Sequence, residues 1–269
     1  MDIYAFAPIA TILDAAYAVV TALASSLSPF AGTFATALAI VLITLLVRAA
    51  LIPVGRSQVR AEFVRRRLAP QLQEIQRRYK KNPELMQRKT AELYAAEKAS
   101  PFAGCLPTLA QAPVLSTVYG LFILTVINGH PNSLLTDQLF QVPLGTSLVH
   151  LVGSGQAWPG LLLYVVLLSL IATVAWLSRR TAMSNSPAAN SPMATGSSAT
   201  GSAITTAQPG NLPQLTGILS WMPFITVIFA AIVPLAATLY LTVTTTWTLV
   251  ERSILRRRFE LRLQRPKAE

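Results

Sequence analysis

Charged, thiol and imidazole side chains are scarce in this chain of 269 residues. Only 12% of the residues are charged, against about 25% in ordinary soluble domains, and 52% are hydrophobic. Cys105 is the single cysteine, which excludes a disulfide within the chain and argues against a thiolate metal cluster, and His130 and His150 are isolated. The phosphate-binding P-loop, zinc-protease and serine-hydrolase motifs are also absent from the sequence. We therefore expect no enzymatic catalysis, no metal and no cofactor.

Lysine and arginine are missing from long parts of the sequence and concentrated in the rest. Of the 22 basic residues, twelve lie within residues 55–100, two are Arg179 and Arg180, seven follow residue 250, and the last is Arg48. Basic residues next to membrane spans stay on the cytoplasmic side, so these three groups are predicted to face the cytoplasm. The formal charge of +11 would suggest nucleic acid in a soluble protein, but its placement here favours a membrane protein, and we expect no DNA partner.

The spacing of the basic groups predicts an all-α, polytopic membrane protein with five transmembrane helices, an outer N-terminus and a cytoplasmic C-terminus. One apolar stretch, residues 215–250, would be about 54 Å long as a single helix, too long for a crossing of about 30 Å. Pro234 cannot donate a backbone hydrogen bond and is the natural break in that stretch. The five predicted spans are residues 33–54, 106–128, 158–178, 215–233 and 234–255.

The segments between the spans differ in composition. Residues 9–28 carry one apolar and one polar stripe at helical spacing, which predicts an interfacial amphipathic helix on the outer surface. The basic residues of the hairpin and of the tail either form a solvated face beside anionic lipid or dock a partner, which for the tail would be ribosomal RNA. The predicted segments are an outer segment (1–32), a basic cytoplasmic helical hairpin (55–105) broken near 80–83, an outer loop (129–157), a flexible cytoplasmic linker (179–214) and a basic cytoplasmic tail (256–269).

Arg48 is a permanent positive charge in the otherwise apolar first span, which contains no acidic residue. An unpaired arginine in hydrocarbon costs at least about 2.5 kcal/mol, so its presence asks for a compensating role. Arg48 lies eight residues before Arg56, about 12 Å along a helix, so its side chain either extends to the cytoplasmic edge or lines a hydrated groove. Thr44, one turn earlier, would share its face. Gln111 would add polar lining or make a helix–helix hydrogen bond.

Residues 100–120, SPFAGCLPTLAQAPVLSTVYG, are far more specific than composition. They resemble the signature of the YidC/Oxa/Alb membrane insertase family. TLLVRAALIPV with Arg48, and VPLAATLYLTVTTTW with Leu239 and Tyr240, are similar to the first and last core spans of that family. The order of elements resembles the compact Gram-positive form of the family over residues 9 to 258. The signature positions that match are Pro101, Gly104, Cys105, Leu106, Pro107, Gln111, Pro113 and Tyr119.

The resemblance implies an insertase and chaperone of the bacterial plasma membrane. It would guide hydrophobic segments of nascent membrane proteins into the lipid bilayer through a hydrophilic groove, open to cytoplasm and lipid and closed outside, without nucleotide hydrolysis. The ribosome and the Sec translocation channel are candidate partners. The expected groove residues are Arg48, Thr44, Gln111, Tyr240 and Trp176.

The sequence departs from the family pattern at several positions that bear on the groove. Ser100 stands where asparagine is usual, Leu241 follows Tyr240 where an aromatic is common, and Trp176 stands where glutamine is often found. A threonine run, Thr242 and Thr244 to Thr246, replaces the usual asparagine-containing segment. These differences leave the polarity of the groove to be established.

Two other functions are compatible with the residues alone. A secondary transporter or channel for a small anionic solute would use Arg48 as its binding site, but the five unequal spans show no internal repeat of the kind transporters commonly carry. A scaffold that holds other membrane proteins through the basic hairpin, without inserting them, is the second alternative.

Overall fold

The computed structural model describes residues 7–97, 116–127, 129–154, 158–184 and 222–264. Helices dominate these residues, and the only strands among them form two short hairpins, in agreement with the predicted all-α character. The chain divides into two compact units. We call residues 1–49 with 113–249 the core unit, and residues 50–112 with 250–269 the hairpin unit.

The core unit begins with two helices joined by a short turn. Helix α1 (Ala7–Ala31) is followed by a 3-10 turn at Gly32–Phe34 and by α2 (Ala35–Ala50). Gly32 has a φ of 53°, a left-handed conformation that glycine adopts at low cost and that separates the two helices. The remaining helices are α5, of which residues 116–123 are described, α6 (Leu148–Gly153), α7 (Trp158–Ser184), α8 (Met222–Ile232) and α9 (Leu235–Gln264), whose last part belongs to the hairpin unit.

Two helical runs among the described residues are long and apolar enough to cross a membrane. They are Ile9–Ala50, which includes the turn at Gly32, and Trp158–Thr181. Ile9–Ala50 has 42 residues, about 63 Å of helix, so it exceeds one crossing of about 30 Å. The turn therefore lies where the sequence predicts the change from outer helix to first span. The five-span count stays a prediction.

Prolines set two helix boundaries. Pro234 lies between the end of α8 and the start of α9, and it pairs through an isolated bridge with Ser147. Pro53 cannot donate a hydrogen bond to the carbonyl four residues earlier, so α2 ends at Ala50 and a new helix begins at Ile52.

The outer loop is folded rather than extended. Strand β1 (Val126–Ile127), which falls in the last residues of the predicted second span, pairs antiparallel with β2 (His130–Pro131) of the loop. Strands β3 (Gln138–Leu139) and β4 (Val142–Pro143) pair in the same way, and a 3-10 turn (Ser133–Leu135) separates the two hairpins. Burial is nearly complete at Leu134 and Leu144, which join the hydrophobic core that also contains Ile40, Phe122 and Tyr164. The loop thus forms part of the core of its unit.

Asn132 is the polar centre of this loop. It is 3% exposed, and its side-chain amide donates to the carbonyls of Leu121 and Leu124 at 2.8 and 2.9 Å. Its side-chain oxygen accepts from the backbone N–H of Leu134 at 3.2 Å. The last carbonyls of a helix have no partner within that helix, so Asn132 closes the C-terminal end of α5 while it starts the next turn.

The hairpin unit contains α3 (Ile52–Arg78), α4 (Pro83–Ala96) and the end of α9. Asn82 caps α4 by accepting from the backbone N–H of Leu85, as N-cap asparagines do. Leu68 and Tyr94 are buried, and Arg67 pairs with Glu97 at 2.8 Å. These contacts hold α3 and α4 together as the helical hairpin that the sequence predicts.

The end of α9 packs beside α3, a contact that the sequence reasoning missed. The rings of Phe63 and Phe259 are in contact, with centroids 5.8 Å apart. Gly55 lies so close to the Glu251 carboxylate that any larger side chain at position 55 would collide with it. In each of these two pairs, the residue on α9 comes 196 positions after the residue on α3. A constant offset means that the two helices run parallel. Arg256 donates to both carboxylate oxygens of Glu62, at 2.9 and 3.1 Å.

We expect Glu62→Gln to loosen the end of α9. A hydrogen bond to a charged group contributes about 1.5–3 kcal/mol, and partial exposure of this pair reduces that to about 1 kcal/mol. Hydrogen exchange of the amides in residues 254–264 should become about fivefold faster. The matched control is Glu92→Gln: Glu92 bonds Lys89, which lowers the pKa of that carboxyl, but both basic residues that it pairs with, Arg88 and Lys89, lie within α4. Equal exchange in the two variants would contradict the role of Glu62.

Candidate functional site

Helix α2 presents one stripe of residues to the interior of the core unit. Thr36, Ile40, Thr44 and Arg48 recur every four residues, which places them on one face of the helix. The first three are buried, and Arg48 is half-buried. Thr36 donates to Asp137 of the outer loop, and Thr44 donates to the Ile40 carbonyl at 2.6 Å. Thr44 and Arg48 therefore lie one turn apart on α2, and their groove roles stay predictions.

Among the described residues, Arg48 forms a hydrogen bond with a hydroxyl group and no salt bridge with a carboxylate. Its Nε donates to Thr244 Oγ1 on α9 over 3.4 Å, a long hydrogen bond. Within the part of the chain that the structure describes, no carboxylate lies within salt-bridge distance of Arg48. A guanidinium has five N–H donors, so most of its hydrogen-bonding capacity is left for water or a bound group.

The threonines of α9 use their own protons within the helix. The Thr242 hydroxyl donates to the Thr238 carbonyl at 2.8 Å, and several neighbours do the same one turn back. This back-bonding satisfies the hydroxyl proton and leaves oxygen lone pairs as acceptors. The back-bonded hydroxyls consequently accept further hydrogen bonds more readily than they donate them, and Thr244 acts as an acceptor toward Arg48. The other threonines back-bonded within this helix are Thr245, Thr246 and Thr248. Thr238 donates instead to the Ala230 carbonyl of α8 at 2.8 Å.

The other predicted groove residues have different neighbours. Tyr240 is 9% exposed and belongs to the hydrophobic core, with its ring centroid 6.2 Å from that of Phe122. Trp176 is 49% exposed, and the guanidinium of Arg180 lies 5.4 Å from its ring. The structure thus brings Arg48 together with Thr244, and the groove roles of Tyr240 and Trp176 stay predictions.

Most of the signature falls where the structure gives no description. Gln111 and the motif residues Pro101, Gly104, Cys105, Leu106, Pro107 and Pro113 lie outside the described residues. Tyr119 is described and is 45% exposed on α5.

The outer loop closes the N-terminal end of α9. The backbone N–H of Leu235 donates to the Thr146 carbonyl and that of Ala236 to the Leu144 carbonyl, each over 2.9 Å. The first N–H groups of a helix have no partner within it, so the loop supplies two of the missing acceptors. Tyr164 on α7 donates to the same Thr146 carbonyl at 2.7 Å. The sequence carries no local sign of these backbone contacts.

Comparisons with known proteins identify relatives over most of the chain. The family model described as 60Kd inner membrane protein matches residues 27–262. The chain is 30% identical over 202 residues to the membrane protein insertase YidC of Zymomonas mobilis, covering 74% of this chain and 30% of that protein. It is 35% identical over 170 residues to the ALBINO3-like protein 1, chloroplastic, of Arabidopsis thaliana, covering 56% of this chain and 33% of that protein.

A third relative is shorter. The insertase YidC of Clostridium perfringens is 32% identical over 123 residues, which cover 45% of this chain and 52% of that protein. The matches therefore span about a third to a half of the length of these relatives. The family predicted from the signature is confirmed, and the chain belongs to the YidC/Oxa/Alb family of membrane protein insertases.

Proposed function

We propose that this protein inserts hydrophobic segments of newly made proteins into the bilayer through a hydrophilic groove bordered by Arg48. The observation that carries the proposal is the setting of Arg48: an apolar helix, one threonine hydroxyl as hydrogen-bond partner, and no carboxylate at salt-bridge distance among the described residues. A charge kept in such a place needs water or a transient anionic partner. The family relationship makes a client polypeptide the natural partner.

The energy for insertion comes from the client. At the centre of a membrane helix, each Leu, Ile, Phe or Val contributes about 0.3–0.6 kcal/mol, so about twenty such residues contribute about 6–12 kcal/mol. An aspartate costs about 2.5–3.5 kcal/mol there, so one or two acids in a translocated tail leave the sum favourable. No nucleotide hydrolysis is required on this account. Arg48 lowers the kinetic barrier to insertion, because it gives the acidic tail of the client an ion-pair partner while the tail crosses the membrane.

The threonines of α9 suit this task. Thr244 accepts a hydrogen bond from Arg48, and the hydroxyl protons of Thr242 and Thr245 are bound within the helix, so the oxygens of these two are left to accept from the N–H groups of an entering client. They hold no charge of their own that would compete with the client for Arg48. In this chain they would perform the part of the asparagine-containing segment usual in the family.

We infer five spans in a bacterial plasma membrane, with the N-terminus outside and the hairpin unit in the cytoplasm. The concentration of basic residues in the hairpin unit supports this orientation. The folded outer loop, with Leu144 fully buried and bonded to the start of α9, fits a groove that is closed on the outer side. Nascent membrane proteins and lipid are the partners on this account, with the ribosome and the Sec channel as further candidates.

Photo-crosslinking to a stalled nascent membrane protein tests the groove. One variant carries a photo-reactive residue at position 44 and keeps Arg48, and a second carries it at position 48 in place of the arginine. Both should crosslink to the client, because both positions lie on the interior stripe of α2. The matched control is a probe at Leu46, which lies on the same helix and is 64% exposed. Crosslinks from position 46 without any from positions 44 and 48 would overturn the site. Crosslinking lost only at position 48 would indicate that the arginine itself is needed.

A further inference from the structure

The β3–β4 hairpin ends in an exposed aromatic side chain. Its two turn residues, Phe140 and Gln141, have φ values of 51° and 67°. Two-residue hairpin turns with this backbone usually carry Asn-Gly or Asp-Gly, because left-handed conformations are unfavourable for larger residues. Phe140 nevertheless occupies the first position and is 57% exposed. The turn presents this ring to the surroundings instead of burying it with Leu139 and Val142.

Phe140 lies beside the start of α2, at the turn within the run Ile9–Ala50 that is long and apolar enough to cross a membrane. Its ring packs edge-on against Phe34, with centroids 5.1 Å apart, and Phe34 immediately precedes α2. The other membrane-length run begins with an aromatic residue, Trp158, which is 87% exposed. Trp is enriched at the membrane–water interfaces, and exposed Phe side chains enter the boundary between headgroups and acyl chains, so the contact with Phe34 would place Phe140 at the depth of the start of α2. We call Phe34 and Phe140 together the aromatic tip.

The β3–β4 hairpin that carries Phe140 has no charged side chain. Residues 138–149 contain no acidic or basic side chain. The acid just before them, Asp137, accepts a hydrogen bond from Thr36. Phe34 is itself 42% exposed, so the two rings offer a continuous apolar surface. An uncharged aromatic surface at the end of an apolar helix fits the boundary between headgroups and acyl chains.

We propose that the aromatic tip inserts into the interface of the outer leaflet and anchors the outer loop to the membrane. The anchor acts on the start of α9 through two hydrogen bonds: Leu144 N–H to the Asp137 carbonyl, and Ala236 N–H to the Leu144 carbonyl. Lipid contact at the tip thereby holds the closing loop at a fixed level in the membrane. The inference rests on the proposed topology, which places this loop outside.

Depth measurements in vesicles of phosphatidylcholine and phosphatidylglycerol test the anchor. Single cysteines in a Cys105→Ser background carry an environment-sensitive fluorophore at Phe140, at Leu162 as a lipid reference and at Gln87 as an aqueous reference. Leu162 is 69% exposed on α7, and Gln87 is exposed on α4. We expect a spin label high on the acyl chain to quench Phe140→Cys at least about twofold more than Gln87→Cys, approaching Leu162→Cys. Quenching equal to that of Gln87→Cys would overturn the anchor.

The side of the membrane on which the loop lies is measured separately, so that a failure of the proposed topology can be distinguished from a failure of the lipid anchor. A membrane-impermeant thiol reagent added to intact cells should label His150→Cys, an exposed position of the same loop, and leave Gln87→Cys unlabelled. Labelling of His150→Cys from outside, together with aqueous-like quenching at Phe140→Cys, contradicts lipid insertion and leaves the topology intact. Labelling of Gln87→Cys alone overturns the topology and, with it, an outer-leaflet anchor.

Discussion

Replacing Arg48 by alanine is expected to slow the insertion of single-span clients that carry acidic outer tails by about 10- to 100-fold. A hydrogen bond between a guanidinium and a carboxylate contributes about 1.5–3 kcal/mol, and each 1.4 kcal/mol changes a rate about tenfold. The alanine variant leaves the acidic tail without its partner in a low-dielectric environment, where an unpaired charge costs most. Protease protection of the client tail in reconstituted vesicles measures the rate.

Three controls separate a role in binding the tail from a role in folding. Arg48→Lys keeps the charge and should retain part of the rate, because an ammonium lacks the planar fork of donors. Thr244→Val removes the hydroxyl acceptor and should have a smaller effect, since its bond to Arg48 spans 3.4 Å. A client with a neutral tail should be affected least. An equal loss with neutral and acidic tails would assign Arg48 to stability, and an unchanged rate with acidic tails would remove it from the mechanism.

Arg48 was predictable because few arrangements tolerate a charge in an apolar helix. The partner was harder to predict. Four threonines lie within residues 242–246, and because successive residues of a helix point about 100° apart, these threonines face different directions. Which of them faces Arg48 depends on how α2 packs against α9, and that packing selects Thr244. The sequence flagged the threonine run as a departure from the family without showing which member would face the arginine.

The packing of α9 beside α3 was missed for a different reason. The last segment of the chain is dominated by arginines, which favours a solvated tail. Leu255 and Phe259 are nevertheless one turn apart, and Leu255 is 7% exposed while Phe259 contacts Phe63. An apolar pair at helical spacing within a basic segment was the available signal. Its partner is 196 residues away and cannot be read from local pattern.

The outer loop was the least predictable part of the described residues. Its hairpins are two residues long on each side, too short for a recognisable alternation, and the positive φ values at Phe140 and Gln141 contradict the usual residue preferences for such a turn. Tertiary contacts determine this conformation, through backbone bonds from Leu235 and Ala236 and the side chain of Asn132. An asparagine in a loop normally indicates a turn and gives no sign of burial.

Asn132→Ala is therefore expected to be among the most destabilising substitutions outside the groove. It removes three hydrogen bonds and leaves the carbonyls of Leu121 and Leu124 without that donor, at a site only 3% exposed. Burying an unsatisfied polar group costs about 1–3 kcal/mol, so leaving these two carbonyls without their donor should cost about 2–6 kcal/mol. Thermal unfolding in detergent and hydrogen exchange of residues 121–135 measure it.

Two substitutions test whether the side-chain amide is the cause. Asn132→Asp keeps the acceptor for the Leu134 N–H but loses both donors, so it should destabilise the loop about as much as alanine. Ser133→Ala removes only an exposed bond to Tyr17, 2.7 Å long, and should cost at most about 1 kcal/mol. If Asn132→Asp behaved like Ser133→Ala, the bonds to the end of α5 would be dispensable. A large loss confined to the two Asn132 variants would instead show that one buried amide couples the outer loop to the second predicted span.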